Sequence, residues 1–139
     1  MNTEVSMWEG HPVNGDTGEL DIIVANPGIV ALDKQDLIQV LEEEGGAYIV
    51  SGVGAKLGDA FTAAVEAMPC PKGAVRDVVV SLQYGDKDFS MSELATLNTY
   101  FESLGEDVNI IWGSTRNDNL SGSIKVVMVI NVKNKSLCG

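Results

Sequence analysis

The chain has 139 residues, 45% of them hydrophobic and 21% charged, which fits one compact domain and excludes both a disordered chain and two ordinary domains. With 20 acidic residues against 9 basic ones, the formal net charge is −11, so nucleic acid and anionic membrane surfaces are expected to be repelled. No apolar run approaches the ~20 residues of a membrane span, and MNTEVSMWEG has neither a basic start nor an apolar signal core, so the expectation is a cytoplasmic protein. His11 is the only histidine, and Cys70 and Cys138 are two thiols far apart in sequence. Neither a zinc site nor a histidine-based triad is expected, and no metal or cofactor.

Residues 1–18 mix Gly, Pro, Asn, Asp and Thr without periodicity and read as an extended or mobile lead-in, in which Met7 and Trp8 are apolar residues able to dock. ELDIIVANPG is a short apolar run ended by Pro27-Gly28, compatible with a strand or with the last turns of a helix. From Asp33 the apolar positions Leu37, Ile38, Val40 and Leu41 fall on one helical face, with Glu42, Glu43 and Glu44 toward solvent and Gly45-Gly46 as the stop. AYIVSGVG reads as a buried strand, followed by an alanine-rich helix over about 59–68 that Pro69 and Pro71 close.

AVRDVVVSLQYG reads as a β-branched strand, and FSMSELATLNTYFESLG as one amphipathic helix capped by Ser90 or Ser92, with Leu94, Leu97 and Phe101 as its buried stripe. VNIIWGSTRNDNLSGSIKVVMVINV reads as two apolar strands joined by a polar turn, an antiparallel hairpin, with Trp112 on an internal strand as core or interface filling. The order gives an α/β sandwich: a mixed four-stranded sheet with helices packed on it.

Few residues suggest chemistry. SGVGAKLGD lies between strand and helix like a phosphate-cradling loop, but its spacing is not G-x-G-x-x-G, no Lys-Ser or Lys-Thr follows, and Asp59 would repel phosphate. Asp16, Glu19 and Asp21 lack the D-x-D-x-D-G order of a calcium loop and read as a solvated charge cluster. Asp33 and Asp36 remain, three residues apart after Pro27-Gly28. One reading is structural, since a carboxylate at the helix N-cap accepts a backbone N–H and favours the positive helix end.

PGIVALDKQD, GGAYIVSGVG, DAFTAAVEAM, EDVNIIWGS and SIKVVMVI together resemble the C-terminal half of FtsZ, the bacterial tubulin homologue, from about Glu19 to Val132. The resemblance implies a tubulin/FtsZ C-terminal domain-like unit over residues 19–139. In the family this loop reads like P-G-L-x-N-x-D-F-A-D-V and enters the nucleotide pocket of the next subunit in a filament. By that likeness Asp33 and Asp36 would polarise the water that attacks GTP held by a neighbour, as trans-acting catalytic candidates. Pro27, Gly28, Ala31, Asp33, Lys34 and Asp36 would form a partner-binding face. The sequence departs from the family where its asparagine is Ala31, where Lys34 and Gln35 replace Phe and Ala, and where Asp59 replaces an arginine.

No G-G-G-T-G-T-G loop of the GTPase half is present in the sequence, so the chain is not expected to hydrolyse GTP by itself. The expectation is a non-enzymatic module that binds or caps a tubulin/FtsZ-type GTPase, or self-associates, through the loop face. Alternatives are a GTPase-activating partner acting in trans through Asp33 and Asp36, and a small-ligand binding protein that reuses the fold. The long central helix that covers one side of this unit in FtsZ is also missing, so an apolar face is left for the lead-in or a second copy to cover.

Overall fold

The computed structural model describes residues 5–43, 45–86, 89–134, 136 and 138. Its elements are β1 (Val5–Trp8), β2 (His11–Asn14), α1 (Gly18–Ala25), α2 (Lys34–Glu42), β3 (Ala47–Gly54), α3 (Leu57–Glu66), β4 (Val75–Tyr84), α4 (Met91–Ala95), α5 (Leu97–Glu102), β5 (Asn109–Arg116) and β6 (Ile124–Val132). They form a mixed α/β sandwich of the expected class, but the sheet has six strands rather than four, in the order β1-β2-β3-β6-β4-β5.

The two additional strands come from the lead-in. Glu9 and Gly10 both have positive φ, 50° and 83°, between the paired residues Trp8 and His11, which makes a two-residue turn of the kind that matches strand twist. The hairpin joins the sheet through one parallel pair, Asn14 with Tyr48. Side chains hold it more firmly: Trp8 and Val13 are buried in the cluster with Leu20, Ile23 and Leu37, and Trp8 Nε1 donates to Asp21 Oδ1 at 2.9 Å. Residues 1–4 of the lead-in lie outside the described residues.

The C-terminal hairpin read from sequence is a correction. β5 and β6 are not neighbours; β4 lies between them, parallel to β5 and antiparallel to β6. The cause is burial. From Val126 to Val132 every residue of β6 is buried, so both faces need cover and the strand takes a central place between β3 and β4. The first half of β5 is partly exposed and suits an edge, so Trp112 stands on an edge strand, not an internal one. The 117–123 connection passes over the end of β4, where Asn117 N–H donates to Tyr84 O at 2.7 Å.

The sheet has a helix layer on each face. One face carries α1 and α2, with Leu20, Ile23, Leu37, Val40 and Leu41 over Val79, Val127 and Val129. The other carries α3, α4 and α5 over Val80, Leu82, Val126, Met128 and Ile130. The single helix read over FSMSELATLNTYFESLG is two, because Thr96 Oγ1 donates to Glu93 O at 2.6 Å and turns the chain out of the helical ladder. Ser90 caps α4 in a reciprocal box with Glu93, and Leu97 is buried.

α2 has a side-chain device at each end. Asp33 caps its start, and at its end the buried Asn131 donates through Nδ2 to Val40 O and Glu43 O at 3.2 and 3.1 Å. Glu42 and Glu43 are exposed, while Glu44 lies outside the described residues. Cys70 and Cys138, which the sequence offered as separate thiols, are joined in a disulfide across a separation of 68 residues.

Gly52 and Gly54 serve packing. A Cβ at Gly52 would overlap the backbone of Ala60 and Ala64, and one at Gly54 would stand 2.8 Å from Ala60 N, so α3 lies directly on β3. Gly52→Ala is therefore expected to cost ~1–3 kcal/mol through overpacking, measured as a lower denaturant midpoint at unchanged m-value. Cys138→Ser should cost ~2–4 kcal/mol by releasing the loop it closes, and a thiol reductant should reproduce the loss in the parent but not in the variant.

Candidate functional site

The segment 26–36 leaves α1, runs along the outer edge of β5, and turns into α2. Its start is fixed by main-chain bonds: Arg116 N–H donates to Asn26 O at 2.9 Å, Gly28 N–H to Ser114 O at 2.9 Å, and Ser114 N–H to Val30 O at 2.7 Å. Val30 N–H also donates to Ser114 Oγ at 3.2 Å, and Pro27 bridges Thr115 in antiparallel fashion. The segment is in effect a short added strand. Glycine is required on both sides of the contact: a Cβ at Gly28 would overlap the Ser114 side chain, and one at Gly113 would lie 2.6 Å from Val30 O.

Beneath the segment runs a buried polar chain. Ser81 Oγ and Thr115 Oγ1 share a hydrogen bond at 2.7 Å, Gln83 Nε2 donates to Ser81 Oγ at 3.2 Å, and Asn117 Nδ2 donates to Gln83 Oε1 at 3.0 Å. Ser81, Gln83 and Thr115 are fully buried, so each needs the partner it has. Beside it the Arg116 guanidinium donates through Nε to Asp118 Oδ1 at 3.1 Å, and that bond, with the Asp118 charge second, raises the Arg116 pKa above its ordinary value.

Locked at both flanks, the segment turns its middle outward. Ile29 is 82% exposed and Val30 39%, with Pro27 and Ala31 also exposed and Gly28 half-buried. Leu32 then plugs into the α1/α2 cluster. Asp33 is the N-cap of α2: Asp36 N–H donates to Asp33 Oδ1, and Asp33 N–H donates to Asp36 Oδ2, each at 3.0 Å. The box uses one oxygen of each carboxylate. The other two have no hydrogen-bond partner among the described residues, so both aspartates keep an acceptor while they cap the helix. Lys34 points elsewhere and pairs with Glu9 in the β1–β2 turn at 3.2 Å.

The sequence-derived residues Pro27, Gly28, Ala31, Asp33, Lys34 and Asp36 thus lie on one continuous segment. What the sequence did not single out is its support: Gly113, Ser114, Thr115, Ser81 and Gln83. The available signal was polar and glycine residues inside otherwise apolar strands, WGST and SLQ. The acidic cluster dissolves into separate contacts: Asp16 Oδ1 accepts from Gly18 N–H at 2.9 Å, Glu19 pairs with Lys125 at 2.6 Å, and Asp21 holds Trp8. Among the described residues no group of histidine, cysteine or carboxylate side chains has metal-binding geometry, and no helix is long and apolar enough to cross a membrane.

In fold and in sequence likeness the chain is FtsZ/tubulin-superfamily C-terminal-domain-like. The cell division protein FtsZ of Methanothermobacter thermautotrophicus is 29% identical over 115 residues, which are 78% of this chain and 30% of that protein. An empty FtsZ dimer of M. jannaschii superposes with TM-score 0.62 at 19% identity, covering 81% of this chain and 34% of that one. A tryptophan-to-tyrosine mutant of FtsZ from the same organism gives TM-score 0.65 at 20% identity, over 81% and 35%. TubZ of Bacillus thuringiensis serovar israelensis, in GDP-form protofilaments, gives TM-score 0.60 at 14% identity, over 82% and 32%. The chain therefore spans about a third of the length of these relatives. No family model matches the sequence.

The capping box yields a separable expectation. Asp33→Ala should destabilise the protein by about 1 kcal/mol, whereas Asp33→Ser should recover most of that loss because a hydroxyl also accepts the Asp36 N–H. Thermal melts of the two variants check it.

Proposed function

We propose that the chain is a docking module without nucleotide turnover of its own, which binds an FtsZ/tubulin-type GTPase, or a second copy of itself, through the Pro27–Asp36 face. Docked on the nucleotide-bearing end of a filament, it would limit growth, with a place in cell division as the setting. The observation that carries this reading is Ile29, 82% exposed on a segment whose flanks are hydrogen-bonded to β5 and capped into α2. A large apolar side chain held rigidly in water is the usual form of a binding anchor, since little conformational freedom is lost on docking. The sequence likeness to FtsZ supports the choice of partner.

A second reading keeps the same surface and adds chemistry. The unused oxygens of Asp33 and Asp36 favour it, because a carboxylate with a spare acceptor can orient water beside a partner's phosphate. Ala31, where the family has asparagine, weighs toward docking alone.

Titration into GTP-driven assembly of an FtsZ-type GTPase from the same source, with light scattering and phosphate release, separates these readings. Docking predicts fewer or shorter filaments at low ratios and loss of the effect in Ile29→Asp. In that case phosphate release falls with polymer. Release that rises instead, and is abolished by the cap-preserving Asp33→Ser, would assign activation. No effect of excess protein would remove the filament reading.

A further inference from the structure

β5 has two halves with different surroundings. Its second half, Gly113–Thr115, is buried beneath the 26–32 segment, whereas Asn109 and Ile111 are exposed and Ile110 and Trp112 half-buried. Because Ser114 and Arg116 donate outward to that segment, strand alternation directs the main-chain groups of Ile110 and Trp112 the same way. They have no partner among the described residues. Folded proteins guard such edges with lysine, proline or a bulge. The sequence Asn109-Ile110-Ile111-Trp112 has none of these.

A cleft flanks this free edge on each face of the sheet. On the α2 face, a cleft of about 510 Å³ has Val40 and Ile111 as apolar lining and Glu42, Glu43 and Asp77 as acidic lining. On the α5 face, a cleft of about 600 Å³ has Phe101, Val108 and Ile110 with Glu102 and Glu106. Asp77 Oδ1 accepts from Asn109 Nδ2 at 2.9 Å, and its Oδ2 is buried with no hydrogen-bond partner. Arg76 pairs with Glu43 at 3.6 Å, and among the described residues no basic side chain lines either cleft.

We propose that the first half of β5 is a strand-addition site for an extended, basic segment of a partner protein. The added strand pairs with the main chain of Ile110 and Trp112, and its alternate side chains enter the two clefts. The clefts set its chemistry: aliphatic carbons against the apolar floors, and lysine or arginine heads toward the acidic walls. A second copy of this chain is disfavoured at these walls by its net charge of −11. The surface is separate from the exposed tip at Ile29, so the docking reading can fail without affecting it.

The probe is a labelled octapeptide of alternating valine and lysine, with a valine–glutamate counterpart and a valine–lysine version N-methylated at alternate residues. Fluorescence anisotropy at low salt should show saturable binding of the valine–lysine probe, no binding of the glutamate probe, and a loss of roughly tenfold or more on N-methylation. Ile110→Pro removes an outward N–H that the β4–β5 ladder does not use, so it should weaken binding similarly while the thermal transition is retained. Glu42→Lys with Glu102→Lys should do the same. Equal binding of the methylated and parent probes would overturn the proposal, because charge alone would then explain the affinity. So would a dimer in sedimentation that Ile110→Pro dissociates, which would assign the edge to a second copy.

Discussion

Everything in this fold is arranged around the requirement that β6 be covered on both faces. Val126, Met128, Ile130 and Val132 point to the α3 side, Val127 and Val129 to the α2 side, and all are buried. Leaving such side chains in water would forfeit roughly 1.5–3 kcal/mol each, so the strand needs a layer above, a layer below and a neighbour on either edge. β3 and β4 supply the neighbours, and their pairing with β6 displaces β5 outward. An edge position for β5 then permits the 26–32 segment to lie against it. The central strand therefore determines the place of the candidate site.

At that site, stability and presentation use the same atoms. The box between Asp33 and Asp36 starts α2, and the Asn131 amide donates to the Val40 and Glu43 carbonyls at its end, so the helix is held at both ends. The carboxylates are consequently fixed in orientation while each retains one acceptor. Ala31 is exposed, and the loop is positioned by main-chain bonds from Gly28 and Val30 to Ser114. Its course does not depend on the side chain at position 31. The side chain at position 31 thus changes what the loop exposes more than where the loop runs.

Elements with strong local signals were legible in the sequence. The capped α2, the apolar β3, β4 and β6, and the alanine-rich α3 each carry a period or a stop that local physics reads directly. The β1–β2 hairpin was not, because Glu-Gly is a weaker turn signal than Asn-Gly, and Pro12 argues against a strand. The β5–β6 relation failed for a different reason. Two apolar strands with a polar turn between them look like a hairpin, and only the two-sided burial of β6 shows that a third strand must intervene. The candidate loop was visible as Pro-Gly followed by paired aspartates. Its supports at Ser81, Gln83, Gly113 and Ser114 were not, since their roles arise from contacts across the sheet.

The α2 face shows how a chain about a third as long as its relatives closes its own core. Leu20 and Ile23 would be open to water if α1 alone lay on the sheet. The hairpin returns Trp8 over α1, where the indole fills the cluster and its N–H finds Asp21, so a large aromatic is buried without leaving a polar atom unpaired. The Glu9–Lys34 pair joins the hairpin turn to the first residue of α2, and its partly exposed charges add little energy but fix direction. The same residues that cover the core thereby connect the lead-in to the loop that carries Asp33.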